Sequence, residues 1–209
     1  MPKKAFLNLN MEKRSRISET AMRLFVDHPY EQLTVTQIIK NLSLHPTTFY
    51  RYFDNKEELY CYLLQSIAQK RSMTLSSIRD QRSDFFYYDD RLSDNELTEL
   101  EIRFVGTVKR LPVDILRHMY MNVFLDETVS LLKSRLRLMR YDGKLRPDID
   151  DDLIAYIGAT IPFNIIMFGR AAGIEDDALL SKLNRYFFEN FFLHGLMPDE
   201  VFSSQENLK

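Results

Sequence analysis

The sequence predicts an all-α protein in two parts: an N-terminal three-helix head with a helix-turn-helix, and a helical-bundle body, about nine helices in all. Apolar residues recur at the spacing of amphipathic helices along most of the chain. Six glycines and seven prolines in 209 residues are about half the usual share, and an all-β protein would need a turn every ~8–12 residues. The composition, 45% hydrophobic and 28% charged, is typical of a globular protein.

The cellular compartment is predicted from cysteine content and hydropathy. The single cysteine, Cys61, excludes an internal disulfide and favours a reducing environment. The most apolar stretch, Tyr156–Phe168, is too short to cross ~30 Å of hydrocarbon. No signal-peptide pattern develops in the first residues. We therefore expect a soluble, cytoplasmic protein without a membrane partner.

The net charge of −2 conceals a difference between the two ends of the chain. Residues 1–53 hold eight basic and four acidic residues, a net charge of +4, which leaves −6 for the remainder. A basic head favours a polyanionic partner, but a solvated charged face gives the same count. Charge alone leaves both interpretations open.

The first long helix is predicted over Met11–Asp27. Its apolar stripe consists of Ile17, Ala21, Leu24 and Phe25. His28-Pro29 ends it, because a residue before proline is pushed out of the α region.

A short second helix begins with a capping box formed by Thr34 and Gln37, each side chain satisfying a backbone N–H of the other residue. The turn at residues 43–45 ends it. Pro46 then suits the first turn of a third helix, over residues 46–53, where its missing N–H costs nothing.

A longer fourth helix is capped by Asp54 or Asn55. The order helix, short helix, tight turn, short helix is that of a helix-turn-helix, here over about residues 34–53. This order divides the chain into a head over residues 1–56 and a body over residues 57–209.

Two interpretations of the head compete, a DNA reader and a generic small helical bundle. The turn is very short, and the third helix offers histidine, threonine, tyrosine and arginine in place of a solubilising Glu/Lys face. No acidic residue, which would repel phosphate, occurs between Glu31 and Asp54. These features favour a helix that enters the DNA major groove.

Residues 49–59, Phe-Tyr-Arg-Tyr-Phe-Asp-Asn-Lys-Glu-Glu-Leu, directly follow the turn of the predicted helix-turn-helix. Together with the apolar positions of the first two helices, they make residues 10–60 closely resemble the DNA-binding domain of the tetracycline-repressor (TetR) family. The resemblance implies a transcriptional repressor that binds a palindromic operator on double-stranded DNA as a homodimer. It also implies release by a small-molecule effector, and therefore a DNA-binding domain at 1–56 and a ligand-binding and dimerisation domain at 57–209.

The resemblance further assigns roles to residues of the head. It implies that Tyr50 and Lys56 contact phosphates and that Thr34 and Thr36 touch the flanking backbone. The positions facing base edges are His45, Pro46, Thr47 and Thr48. Arg51 completes the predicted DNA-binding set.

The chain departs from the family at two positions, Ser43 and Thr47, where the family usually or often has glycine. A serine in the turn is strained if its φ is positive. The base preference is therefore not carried over.

The body is predicted to consist of helices, with a loop or helix junction over residues 83–94 and a turn over residues 142–147. Its helices are expected over residues 55–81, 95–111, 113–141, 150–172 and 176–196. Pro162 falls inside the fourth of these and is expected to kink or break it.

The last two helices are apolar nearly all round and need burial on more than one side. A twofold mate would supply the second side, and the resemblance implies the same dimer interface. The predicted interface residues are Ile154, Gly158, Ile161, Ile165, Leu183, Phe187 and Phe191.

A core is the simplest interpretation of the other large apolar residues of the body. If an effector binds, an apolar or aromatic ligand suits the candidate pocket best. The candidate pocket residues are Phe104, Met119, Met121, Phe124, Phe163 and Met167.

No enzyme motif is found. The four histidines are widely separated, and the sequence lacks metal-binding spacings, a P-loop and nucleophile motifs. We therefore expect no enzyme activity, no metal and no cofactor. The alternative function is that of a helical dimeric interaction protein whose head docks another protein instead of DNA.

Overall fold

The computed structural model describes residues 2–77, 97–187 and 194–196; side chains are described for these residues except 71–77 and Asp177. Within these ranges all regular secondary structure is helical, as the sequence predicts. The described residues form two compact units, 2–77 with 97–116 and Arg117 onward.

The first unit begins with five helices. They are α1 (Lys4–Leu7), α2 (Met11–Asp27), α3 (Val35–Asn41), α4 (Pro46–Tyr52) and α5 (Lys56–Ser77). The bounds of α2 and the starts of α3 and α4 agree with the caps and prolines from which they were predicted. The short α1 was not predicted.

The rest of this unit packs against the head. Helix α6 (Glu99–Gly106) begins with a capping box between Thr98 and Glu101 and continues into a 3₁₀ turn, Thr107–Arg110. It packs on α2, and Lys70 of α5 forms an ion pair with Glu101 at 3.0 Å. The compact unit that contains the head therefore extends past the predicted boundary at residue 56.

The second unit begins at Arg117, and three helical segments cover the chain from there to Tyr141. They are α7 (Val113–His118), a π-helical turn (Met119–Val123) and α8 (Leu125–Tyr141). Helix α8 packs along α9 (Asp151–Ala171), and α9 packs against α10 (Asp177–Phe187). A last helical turn is described at His194–Leu196.

The core of the second unit lies between α8 and α9. Its buried residues include Leu132, Leu136, Ala155 and Ala159. Arg140 donates to the carbonyl of Ile149 at 2.7 Å and pairs with Asp151. These contacts hold the start of α9 against the end of α8.

Helix α9 continues through Pro162, so the expected break does not occur. Its length and composition alone would suffice to cross a membrane. Ala155, Ala159 and Ile166 are nevertheless buried within the unit. Gly169 allows α10 to approach, because a Cβ there would collide with the Leu180 side chain. Such packing is that of a core helix.

Candidate nucleic-acid interface

Helix α3 begins at the predicted capping box. The Thr34 hydroxyl accepts from the Gln37 N–H at 3.2 Å, and the Gln37 Oε1 accepts from the Thr34 N–H at 2.8 Å. Thr34 and Thr36 are exposed. Buried Ile38 and Ile39 hold the opposite face of the helix in the core. The two threonines thus stand on the solvent side of a fixed helix start.

A tight turn ends α3 and leads into α4. The Leu44 N–H donates to the Ile39 carbonyl and the Ser43 N–H to the Lys40 carbonyl, both at 3.1 Å. This is a Schellman motif, which requires a left-handed residue at the position of Ser43. Ser43 has φ 52°, so the serine there is strained, as the sequence suggested.

Helix α4 is divided into a buried and an exposed face. Its aromatic residues Phe49 and Tyr52, together with the adjoining Phe53, are buried. The exposed face carries most of the predicted base-facing residues, with Thr48 half-buried at its edge. The exposed residues are His45, Pro46, Thr47, Tyr50 and Arg51.

Two side chains at the start of α4 are linked to each other. His45 caps the helix by accepting from the Thr47 N–H at 3.4 Å through Nδ1. The same Nδ1 lies 2.8 Å from the Thr47 hydroxyl. The orientation of Thr47 is therefore coupled to that of His45, which sequence spacing alone did not indicate.

Lys56, at the start of α5, is held inside the head. Its ammonium donates to the carbonyls of Tyr30 at 2.6 Å and Leu33 at 3.0 Å and lies 4.2 Å from the centre of the Tyr30 ring. Partial burial lowers the pKa of Lys56, an effect that nearby Glu31 opposes. Because an ammonium has three N–H donors, at most one is left for a phosphate.

Comparison with known proteins identifies this arrangement. Residues 17–63 match the model of the bacterial regulatory proteins of the tetR family. The head is a tetR-family domain.

Two curated relatives match in the same part of the chain. The HTH-type transcriptional regulator TcmR of Streptomyces glaucescens is 41% identical over 46 residues, 22% of this chain and 20% of that protein. The HTH-type transcriptional regulator SAB2452 of Staphylococcus aureus is 36% identical over 55 residues, 26% of this chain and 30% of that protein. The matched part of the chain thus spans less than a third of either relative.

The fold extends the likeness beyond the head. The structure of SmeT, the repressor of a multidrug efflux pump of Stenotrophomonas maltophilia, solved in complex with triclosan, is similar with a TM-score of 0.62. The sequence identity is 16%, and the comparison covers 91% of this chain and 94% of SmeT. The tetR-family head is therefore joined to a body of the same fold as in SmeT.

An aromatic cluster connects the tetR-family head to α6 within the first unit. Phe104 is buried against Tyr60 at 4.9 Å and Phe25 at 6.1 Å between ring centres. The Tyr60 hydroxyl lies 2.6 Å from that of Thr107. Burial raises the pKa of both Tyr60 and the adjacent Tyr30. The Tyr60 phenol therefore stays protonated and retains its hydrogen bond with Thr107.

The predicted effector residues are distributed over both units. Phe104 belongs to the aromatic cluster of the first unit. In the second unit Met119 is buried, whereas Met121, Phe124, Phe163 and Met167 are half-buried. The Phe163 ring lies 5.9 Å from that of Tyr120. Among the described residues no group of acidic, histidine and cysteine side chains is arranged to hold a metal ion.

The predicted interface residues of α9 are largely used inside the protomer. Ile161 and Gly158 are buried, and Ile154 and Ile165 pack against the core shared with α8. The exposed apolar residues of α9 lie on its other side and are Leu153, Tyr156, Ile157 and Phe168. On α10, Leu183 is half-buried and Phe187 is exposed, whereas Phe191 lies outside the described residues. On α9 the candidate contact face is therefore the exposed apolar side, whereas the residues predicted from the sequence lie on the side that packs within the protomer.

Sequence reasoning missed two features of the head. The carbonyl partners of Lys56 lie 26 and 23 residues before it, and no local pattern links them. The second feature is α1, where Phe6 is fully buried. The apolar residues around Phe6 are too few to give a helical period, although an aromatic residue near the basic Lys3 and Lys4 could have suggested a docked segment.

Proposed function

We propose that this protein is a DNA-binding transcriptional regulator, most simply a repressor, that binds a palindromic operator as a homodimer and is released by a small-molecule effector. The observation that carries the proposal is the exposed polar face of α4, held on a buried aromatic face directly after a tight turn in a tetR-family head. The protein then acts in the cytoplasm and has no enzyme activity.

The phosphate contacts in this proposal come from the edges of the helix-turn-helix. Thr34 lies at the start of α3, but its hydroxyl donates to Gln37 Oε1 at 2.8 Å, so Thr34 would touch the flanking backbone without donating to it. Tyr50 on α4 and Thr36 on α3 present exposed hydroxyls. Such hydroxyls and the first N–H groups of a helix are suitable donors to phosphate oxygens. Arg51 adds a cation on the exposed side of α4. Lys56 contributes its remaining N–H.

Sequence preference is assigned to the first turn of α4. Pro46 and the methyl groups of Thr47 and Thr48 offer apolar contacts to thymine, and His45 offers a donor to guanine. Because His45 and Thr47 share a hydrogen bond, we expect a change at either residue to alter the preference set by the other.

The homodimer in this proposal uses the exposed apolar side of α9 together with α10. Leu153, Ile157 and Phe168 lie along that side of α9, and Tyr186 and Phe187 are exposed on α10. Large apolar side chains exposed together mark protein contact sites. A twofold mate would cover them and place two heads on the half-sites of a palindrome.

The effector is proposed to be apolar or aromatic, because the half-buried candidates in the second unit are Met121, Phe124, Phe163 and Met167. SmeT, which shares the fold, was solved with triclosan. Release requires that the effector prefers a state whose head spacing does not fit the operator. Within the first unit, the contact of Phe104 with Phe25 would pass a shift of α6 to the head.

A binding-site selection from random double-stranded DNA, followed by sequencing, tests the proposal. We expect a palindrome whose half-sites are about one helical turn apart or a multiple of it. Recovery of no palindrome would contradict the operator function. The rival protein-docking function predicts that no DNA sequence is bound preferentially, whereas operator binding through several phosphates gives a selected site whose affinity falls steeply as salt rises.

A further inference from the structure

The N-terminal segment lies outside the part of the chain that matches the tetR family, yet it packs on the end of α4. Phe6 of α1 is fully buried. Its ring centre lies 5.6 Å from that of Tyr52, 4.6 Å from Phe53 and 5.1 Å from Tyr62. Phe6 therefore fills a niche between the end of α4 and the first turns of α5.

Lys3 completes the contact with the same helix end. Its backbone N–H donates to the Tyr52 carbonyl at 2.9 Å, and its ammonium donates to the Tyr50 carbonyl at 2.8 Å. The ammonium also pairs with Asp54. The last four carbonyls of a helix have no partner within the helix, and a cation near them is favoured by the helix dipole. Lys3 thus satisfies two of these carbonyls and places a charge where the dipole favours it.

Helix α4 needs such support because it has only seven residues. Helices of this length are marginal in water, and their stability comes from packing. At its start α4 is fixed by the His45 cap and the Ser43 turn. At its end the backbone and ring contacts come from Lys3 and Phe6. The exposed Tyr50 stands between these two supports.

We propose that Lys3 and Phe6 form an N-terminal clamp that positions α4 for DNA. This inference rests on the DNA-binding function proposed above. Both are positioning residues, because they act through the helix end they hold. The clamp improves affinity by holding the helix in its binding orientation beforehand, which reduces the ordering cost on binding. A direct phosphate contact by Lys3 would act differently, through counterion release.

The matched pair Lys3→Met and Lys4→Met tests this role. The two variants each remove one positive charge, at neighbouring positions in the sequence. Lys4, however, is exposed on α1 and is not part of the clamp. The probe is a labelled duplex carrying the selected palindrome, and any purification tag is at the C-terminus. We expect Lys3→Met to weaken binding about 5-fold and Lys4→Met to change it less than about 2-fold at moderate salt.

Salt dependence separates positioning from direct contact. We expect the slope of log K against log salt to be unchanged in Lys3→Met, because no phosphate contact is lost. A slope smaller by about one would identify Lys3 as a phosphate contact and overturn the clamp. Equal affinities for Lys3→Met and the unsubstituted protein would also overturn it.

Hydrogen exchange measured without DNA keeps the inference testable if the DNA function fails. We expect the amides of α4 to exchange faster in Lys3→Met and in the milder core variant Phe6→Leu, with those of α3 unchanged. Lys3→Arg, which retains the donors, should restore the exchange rate. Unchanged exchange of α4 in both Lys3→Met and Phe6→Leu would refute the clamp. Absence of any DNA binding by the unsubstituted protein would refute only the proposed function.

Discussion

Helices α4 and α9 both present a surface to solvent, but the two surfaces are of different kinds. The exposed side of α4 is polar, with Thr47, Tyr50 and Arg51, and its aromatic side is fully buried. The exposed side of α9 is apolar, with Leu153 and Phe168 each more than half exposed. A polar face on a rigid support suits a charged, hydrated partner such as DNA. An apolar face calls for a protein surface that excludes water.

A charge on the apolar face of α9 should have the largest effect. We expect Ile157→Glu to abolish the homodimer, because burying an unpaired carboxylate is costly. Operator binding should then weaken by about 100-fold or more, since each head would bind alone. Light scattering gives the mass, and fluorescence anisotropy the affinity.

The control for this prediction is Leu138→Glu, which places the same charge on the exposed side of α8, where Leu138 is 65% exposed. It should leave both mass and affinity unchanged. If Ile157→Glu stayed dimeric while Leu138→Glu did not, the apolar face of α8 and not that of α9 would be the contact surface.

Loss of the Lys56 ammonium should have the next largest effect. In Lys56→Met the carbonyls of Tyr30 and Leu33 lose their donor, and we expect the free energy of unfolding to fall by about 1–2 kcal/mol. DNA affinity should fall about 10-fold, with the salt slope reduced by about one if the remaining N–H contacts a phosphate. Denaturation and salt titration measure the two effects separately.

Lys13→Met, at an exposed position of α2, is the matched control and should leave the unfolding midpoint unchanged. An unaltered midpoint in Lys56→Met would contradict the internal role of the ammonium. An unaltered salt slope would contradict its phosphate contact.

Removing the Tyr50 hydroxyl should have a smaller effect. Tyr50→Phe loses one donor to phosphate but keeps the ring, which packs edge-on to Phe49 with 5.4 Å between ring centres. We expect affinity to fall about 5-fold for all sequences alike, because the typical net contribution of one hydrogen bond is about 1 kcal/mol. Tyr141→Phe, at a tyrosine 90% exposed in the second unit, should bind as the unsubstituted protein does. Altered preference between sequences would place Tyr50 on a base.

The smallest effect should come from the turn before α4. A second Schellman turn, after α8, has the same two hydrogen bonds but carries Gly143 at φ 69° where the head carries Ser43. Ser43→Gly should relieve the strain and stabilise the protein by about 0.5 kcal/mol, since glycine's extra flexibility offsets part of the gain. Gly143→Ser should destabilise it. Thermal unfolding tests both, and a lower midpoint for Ser43→Gly would show that the serine side chain supports the turn.

The sequence predicted those parts of the fold that local chemistry determines. The Thr34–Gln37 capping box, Pro46 at a helix start and His28-Pro29 at a helix end place the helices of the head within a residue or two. The residues on the exposed side of α4 were predicted from the polar residue types of that helix and from the family resemblance. Local rules suffice there because each signal and the structure it determines lie within four residues of each other.

The remainder depends on contacts that are distant in sequence. Helix α1 is too short to form without the niche that Tyr52, Phe53 and Tyr62 provide. The orientation of α9 was not predictable because the helix is apolar nearly all round, and only its packing on α8 shows that Ile161 points inward. Its continuation through Pro162 likewise depends on neighbouring helices.

Pro162 divides α9 into two segments that can bend relative to each other. Because proline has no N–H, the carbonyl of Gly158 lacks its usual helical donor, and the helix resists bending least at that point. The half before Pro162 packs on α8 through Ala155 and Ala159, and the half after it packs on the same core through Ile165 and on α10 at Gly169. One helix thus consists of two stiff levers joined at a compliant joint, of which the second also holds α10.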